Sequence, residues 1–153
     1  MSAQQAPYRL RGGRPRDLDA LCALETSAFR GDRIARRSFR RFLTSLGADL
    51  IVAELADGVA GYALGLFRRG SKVARLYSIA VAPAASGRGI GAALLAAAEQ
   101  AAGRRGCTAM RLEVAARNKR AARLYSLAGY RQFGRIDGYY EDGGAALRFE
   151  KAL

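Results

Sequence analysis

The sequence predicts an α/β (α+β) fold: one mixed, mostly antiparallel sheet of about seven strands flanked by about four helices. Three observations carry that prediction. Short apolar runs alternate with stretches of helical periodicity along the whole chain. The three runs between residues 50 and 81 are separated by turn residues, so they fold back on one another. The last of them passes through a glycine-rich loop straight into an alanine- and leucine-rich helix.

The elements follow in order. Residues 8–12 read as a first strand. Arg16-Asp17-Leu18-Asp19 opens a helix that runs to about Phe29 and carries Leu18, Leu21, Cys22 and Leu24. A second, strongly basic helix spans residues 35–46. The runs 50–55, 58–67 and 73–81 form an antiparallel meander, punctuated by Asp57-Gly58 and Arg69-Gly70-Ser71. After the glycine loop come a helix over 89–105, a strand over 109–114 and a helix over 119–128 that stops at Gly129. Strands over 130–138 and 145–151 close the chain.

No linker, repeat or low-complexity tract interrupts this order, so residues 1–153 read as a single domain. A chain of this length hides about 68–70% of its unfolded surface, enough for a real core. The start of the sequence lacks an apolar signal segment, and Glu99 and Gln100 break the alanine-rich helix before it can span a bilayer. The expectation is a soluble, cytoplasmic protein without a membrane partner, a monomer or homodimer.

Composition removes much chemistry. Without a single histidine, Ser-His-Asp and Cys-His nucleophiles, histidine bases and histidine-zinc sites are excluded. Cys22 and Cys107 stand far apart and read as reduced, packed thiols, so no metal is expected. Acid–base work falls to carboxylates, tyrosines, lysines or water. The net charge of +13 comes mostly from arginine, with Arg30, Arg33, Arg36, Arg37, Arg40 and Arg41 crowded together. That cluster reads as a solvated face, a compositional bias, or a surface for acidic partners. With no helix-turn-helix, zinc finger or RNA-binding aromatic motif, dedicated nucleic-acid binding is not expected.

Ser86-Gly87-Arg88-Gly89-Ile90-Gly91 is an anion site by construction. Glycines let backbone N–H groups approach a ligand, and the helix start adds unpaired donors and the positive end of a dipole. The stretch from Gly87 to Ala92 also fits the dinucleotide fingerprint, with Glu113 at ribose distance downstream, which keeps an NAD(P)-binding oxidoreductase in view. Against that reading, five residues separate Val81 from Gly87 and the loop sits mid-chain.

Val81-Ala82-Pro83-Ala84-Ala85-Ser86-Gly87-Arg88-Gly89-Ile90-Gly91 resembles motif A of the GNAT acyltransferase superfamily, V-x-P-x-x-Q/R-x-x-G-x-G/A. Only Ser86 departs, standing where Gln or Arg is usual. The element order matches that family over essentially the whole chain. The resemblance implies acetyl-CoA as co-substrate, its pyrophosphate held by the backbone of Ser86, Gly87, Arg88, Gly89, Ile90 and Gly91. It also implies central strands that splay apart, with backbone groups of Ile79, Ala80 and Val81 binding pantetheine like an added strand.

Leu112-Glu113-Val114 through Asn118, Ala121, Leu124-Tyr125 and Gly129-Tyr130 resembles the second signature of GNAT enzymes that acetylate protein N-termini, ribosomal-protein-alanine acetyltransferases among them. Asn118 suits a helix N-cap, with a coenzyme A contact beside it. By resemblance Tyr125 sits near the sulfur and protonates the departing thiolate; otherwise it packs and positions the thioester. Glu113 points away from the face of Leu112 and Val114. It takes the amine proton, binds the substrate nitrogen, or forms a structural salt bridge.

The ending from Gly138-Tyr139-Tyr140 to Phe149 resembles the Y-Y-x-D-G-x-D-A-x-x-M close of the N-terminal acetyltransferases, with Ala145 and Phe149 as departures. Phe29, Tyr139 and Tyr140 are the candidate substrate-binding residues. Gly31-Asp32-Arg33 stands where the ribosomal enzymes tend to carry Pro-Trp. The resulting expectation is acetyl transfer from acetyl-CoA to a primary amine, a protein or peptide N-terminus foremost. The alternatives are a polyamine, aminoglycoside or amino-acid derivative as acceptor, or a coenzyme A-binding regulatory module without turnover.

Overall fold

The computed structural model describes residues 7–153. Strand β1 (Arg9–Gly12) leads through a tight turn at Pro15–Asp17 into helix α1 (Leu18–Ala28) and the short helix α2 (Arg36–Phe42). Three strands follow, β2 (Ala48–Leu55), β3 (Gly58–Leu66) and β4 (Val73–Val81), then helix α3 (Ile90–Arg104). Strand β5 (Ala109–Ala115), helix α4 (Lys119–Leu127) and strands β6 (Arg131–Ile136) and β7 (Ala146–Ala152) complete the order. The seven strands lie in one sheet in the order β1-β2-β3-β4-β5-β7-β6.

Two elements are shorter than the sequence suggests, for local reasons. Helix α2 stops at Phe42 because the chain is recruited early into β2, where Ala48 already pairs with Leu66 and the Phe67 amide donates to the Gly47 carbonyl. Strand β6 ends at Ile136 because Gly138 turns at φ +64°, outside the extended region.

The sheet is antiparallel except at its centre. There β4 runs parallel to β5, pairing Val73 with Ala109, Ala74 with Met110 and Arg75 with Arg111. Beyond Arg75 the two strands part, and β5 continues its ladder with β7 alone. From Leu76 to Val81, β4 therefore keeps β3 on one side and an open edge on the other. A bulge accompanies the fork: Leu64 faces Ser78 while Gly65 faces Leu76, leaving Tyr77 over.

The bulge also swaps the faces of β4. Leu76 packs with α3 and the β5–β7 half, among Ile90, Leu94, Leu95, Met110, Leu112, Tyr125 and Phe149. Ala80, an even number of residues on, packs with Leu21, Leu24, Phe39, Val52 and Tyr62 on the α1/α2 side. Each face thus has its own apolar layer, and the strand that changes sides lies where they meet. Among the described residues, no helix is long and apolar enough to cross a membrane.

Candidate active site

The fork between β4 and β5 gathers most of the chemistry. On its α3 side the turn after β4 forms an anion cradle. Gly87 and Gly89 adopt φ values of +81° and +75°, which side chains rarely tolerate. Gly89 caps α3, and the first helical bond runs from the Ala93 amide to its carbonyl. The amides of residues 87–92 find no acceptor among the described residues, and the space where Cβ atoms of Gly87 and Gly89 would point is open. Such a row of donors at a helix start suits a diphosphate. Ser86 departs from the expected cradle: its hydroxyl donates to the Pro83 carbonyl at 2.9 Å and its amide to the same carbonyl at 3.2 Å, so both of its donors are spent within the turn and the free amides begin at Gly87. The open edge of β4 at Ile79, Ala80 and Val81 runs directly into this cradle.

On the opposite face the fork carries a polar cluster. Glu113, with Leu112 and Val114 buried on the other side of β5, sits between two guanidinium groups. Arg75 Nη2 donates to its Oε1 at 2.6 Å, and Arg148 Nε stands 3.5 Å from Oε2. Arg75 Nη2 also donates to the Tyr139 hydroxyl at 2.9 Å. Tyr139 and Tyr140 stack edge to face with centroids 4.9 Å apart, in a turn closed by the Tyr140 amide on the Gly144 carbonyl. Burial pushes the Tyr140 hydroxyl up to about 12, helped by Tyr139, Glu113 and Asp32 and opposed by Arg75.

Tyr125 approaches this cluster from α4. Its ring is buried against Tyr130 and Phe149, and burial followed by the nearby Tyr140 raises its hydroxyl well above the ordinary tyrosine value. The phenol therefore stays protonated at neutral pH. Asn118 caps α4, its Oδ1 accepting from the Ala121 amide at 3.1 Å, which leaves its amide nitrogen for another partner. Phe29 sits apart, partly buried against the α1/α2 layer.

Three residues of the cluster escape the sequence reading. Arg75 and Arg148 flank Glu113, and Asp32 links the α1–α2 and β6–β7 loops by accepting from the Glu141 amide. One signal was legible: Arg75 is a lone charge inside an apolar run. Asp32 gave none, since its φ of +53°, the mark of a constrained loop, is visible only once the backbone is known.

A family model described as the acetyltransferase (GNAT) family matches residues 18–130. An uncharacterized N-acetyltransferase of Methanocaldococcus jannaschii is 34% identical over 86% of this chain and 83% of its own length. The chain belongs to the GNAT family. It spans only 36% of a further relative, an uncharacterized protein of Mycobacterium leprae that is 35% identical over 86% of this chain. Among solved structures, the ribosomal-protein-S18-alanine N-acetyltransferase of Escherichia coli superposes with a TM-score of 0.86 at 23% identity, covering 96% of this chain and 94% of its own. A nourseothricin acetyltransferase superposes at 0.78 and 24% identity, covering 97% and 99%. Both likenesses establish the fold of this GNAT chain, and their names point to different acceptors. The forked strands and the cradle at the start of α3 are thus features of a GNAT domain, which the dinucleotide reading of the glycine loop does not account for.

Proposed function

We propose that this GNAT chain is an acetyl-CoA-dependent N-acetyltransferase acting on a primary amine, with a protein or peptide N-terminus as the acceptor. The observation that carries the reading is the fork itself, with an anion cradle on one face and the Glu113–Tyr139–Tyr140 cluster on the other, and Tyr125 between them. The cradle and the free edge of β4 fit coenzyme A: the amides of residues 87–92 would hold its pyrophosphate, and the backbone of Ile79, Ala80 and Val81 its pantetheine arm. Acetyl-CoA supplies the activated acyl thioester.

The chain's own groups divide the remaining work. Glu113 receives the acceptor nitrogen and takes its proton, directly or through a water. Tyr125, protonated at neutral pH, donates to the sulfur as negative charge develops there. A free thiol ionises near 8.5, below even an ordinary tyrosine near 10, so full proton loss from this buried phenol is uphill and hydrogen bonding is its main contribution. Tyr139 and Tyr140, whose loop is tied to Asp32 through the Glu141 amide, support an extended acceptor over a compact one.

Thiol release from acetyl-CoA by the purified protein, with N-terminal peptides set against polyamines and amino-acid amines, tests the reading. Turnover with peptides is expected. Turnover with small amines alone would reassign the acceptor, and acetyl-CoA binding without any turnover would make this a regulatory module. Tyr125→Phe is expected to lower kcat about 100-fold, the scale of a lost proton donor, while the acetyl-CoA Kd changes less than about twofold. An unchanged kcat would remove Tyr125 as the donor.

A further inference from the structure

The guanidinium of Arg75 is only half spent. Its Nη2 serves both Glu113 and Tyr139, while Nε and Nη1 have no acceptor among the described residues, and the side chain is 45% exposed on the acceptor face of the fork. A cationic and aromatic strip continues from it toward α2. Arg75 lies 5.4 Å from the Tyr77 ring centre, Tyr77 6.0 Å from Phe42, and Arg41 5.1 Å over Phe42. On the other side of Glu113, Arg148 rests 4.8 Å over Phe133. A single carboxylate is therefore shared by two guanidiniums, and Asp32, the other acid near Tyr140, faces the Glu141 amide.

This arrangement discriminates between acceptors. An acceptor nitrogen that draws on Glu113 competes with Arg75 for it. A neutral acceptor leaves the guanidinium short of a partner in a partly desolvated slot, which is unfavourable. An acceptor carrying its own carboxylate beside the amine exchanges one ion pair for two, the amine to Glu113 and the carboxylate to the unpaired Nε or Nη1 of Arg75. We propose that Arg75 selects acceptors bearing a carboxylate next to the reactive amine, such as an N-terminus that begins with an acidic residue or a small amino-dicarboxylic acid. The inference rests on the acetyltransferase reading above and names its substrate class.

The test uses the full chain and acetyl-CoA, with peptide pairs that differ only by Asp against Asn or Glu against Gln at the first or second residue. Aspartate against its diamide forms a small-molecule arm, since asparagine would keep an α-carboxylate beside the amine. The acidic member is expected to win by about tenfold or more in kcat/KM, chiefly through KM, the scale of one charge-assisted hydrogen bond. In Arg75→Met that ratio should fall to about one, in Arg75→Lys it should persist in part, and in Arg75→Glu it should invert toward a lysine-bearing partner. Discrimination in the peptide arm assigns the acceptor to peptides, and discrimination confined to the small-molecule arm assigns it to free amino acids. A wild-type ratio near one overturns the inference. So does an Arg75→Met variant that slows both members alike, since that is a structural role. If no amine of any kind is acetylated, the acetyltransferase reading falls as well; if amines are acetylated without regard to charge, only the role of Arg75 falls.

Discussion

Glu25 illustrates what one side chain can reveal. It is 2% exposed, its Oε1 accepts from the Tyr62 hydroxyl at 2.5 Å and its Oε2 from the Ile34 amide at 2.7 Å. Tyr62 in turn meets Ser78 Oγ at 2.7 Å, beside the bulge in β4. Burial raises the Glu25 carboxyl above its ordinary 4.5, and the hydrogen bonds only partly offset it. A raised carboxyl pKa means stability that is complete below the ordinary value and declines as pH rises through the folded one. Glu25→Gln removes that decline, so the Tm advantage of wild type over the variant should be larger at pH 4 than at pH 7. Parallel Tm-against-pH curves for the two proteins would contradict this. The sequence displayed Glu25 as one acid on a helix. Its burial follows from α1 packing across β3 and β4, which no local pattern encodes.

At the scale of elements, strand β1 is latched by ion pairs. Arg11 on β1, its side chain 9% exposed, donates twice to Asp17 at 2.9 Å and twice to Glu54 on β2 at 2.7 and 3.1 Å. Asp17 also accepts from the Arg14 amide at 2.7 Å, fixing the turn into α1. The Arg11 hydrogen bonds hold the Asp17 carboxyl below its ordinary 3.8. Its stabilisation is therefore present above that value and is lost as pH falls through the folded one. Asp17→Asn should cost about 3 kcal/mol at pH 7, since it leaves a buried guanidinium short of its partner, and the cost should shrink toward pH 2. Urea unfolding at the two pH values measures it, and an equal loss at both would refute the latch. Every strand and helix was legible in the sequence, because turn residues and periodicity mark them locally. The early ends of α2 and β6 were not, because strand pairing and a glycine turn set them from outside the element.

For the whole molecule, the fork is the feature that matters. Three residue pairs join the two halves of the sheet, and beyond them the edge of β4 is unpaired. Hydrogen exchange should show this directly. Alternate amides of β4 between residues 76 and 81 that point away from β3 should exchange fast in the free protein, as should the amides of residues 87–92. Both sets should slow together when coenzyme A is added. Protection of the loop without protection of β4 would mean that the diphosphate binds while the pantetheine arm lies elsewhere.

What the sequence determined by itself was everything set by neighbours along the chain. That covers the strand and helix order, the glycine loop poised on a helix start, Asn118 as a cap, and, in a chain without histidine, the restriction of proton exchange to carboxylates, tyrosines, lysines or water. Only the tertiary structure decided which charges meet. Arg75, Glu113 and Arg148 lie on three different strands, and Asp32 reaches the β6–β7 loop from the far end of the chain. A carboxylate's task depends on the charges around it. Those are fixed by strand register and by the face each side chain takes, and a bulge at Tyr77 is enough to change that face.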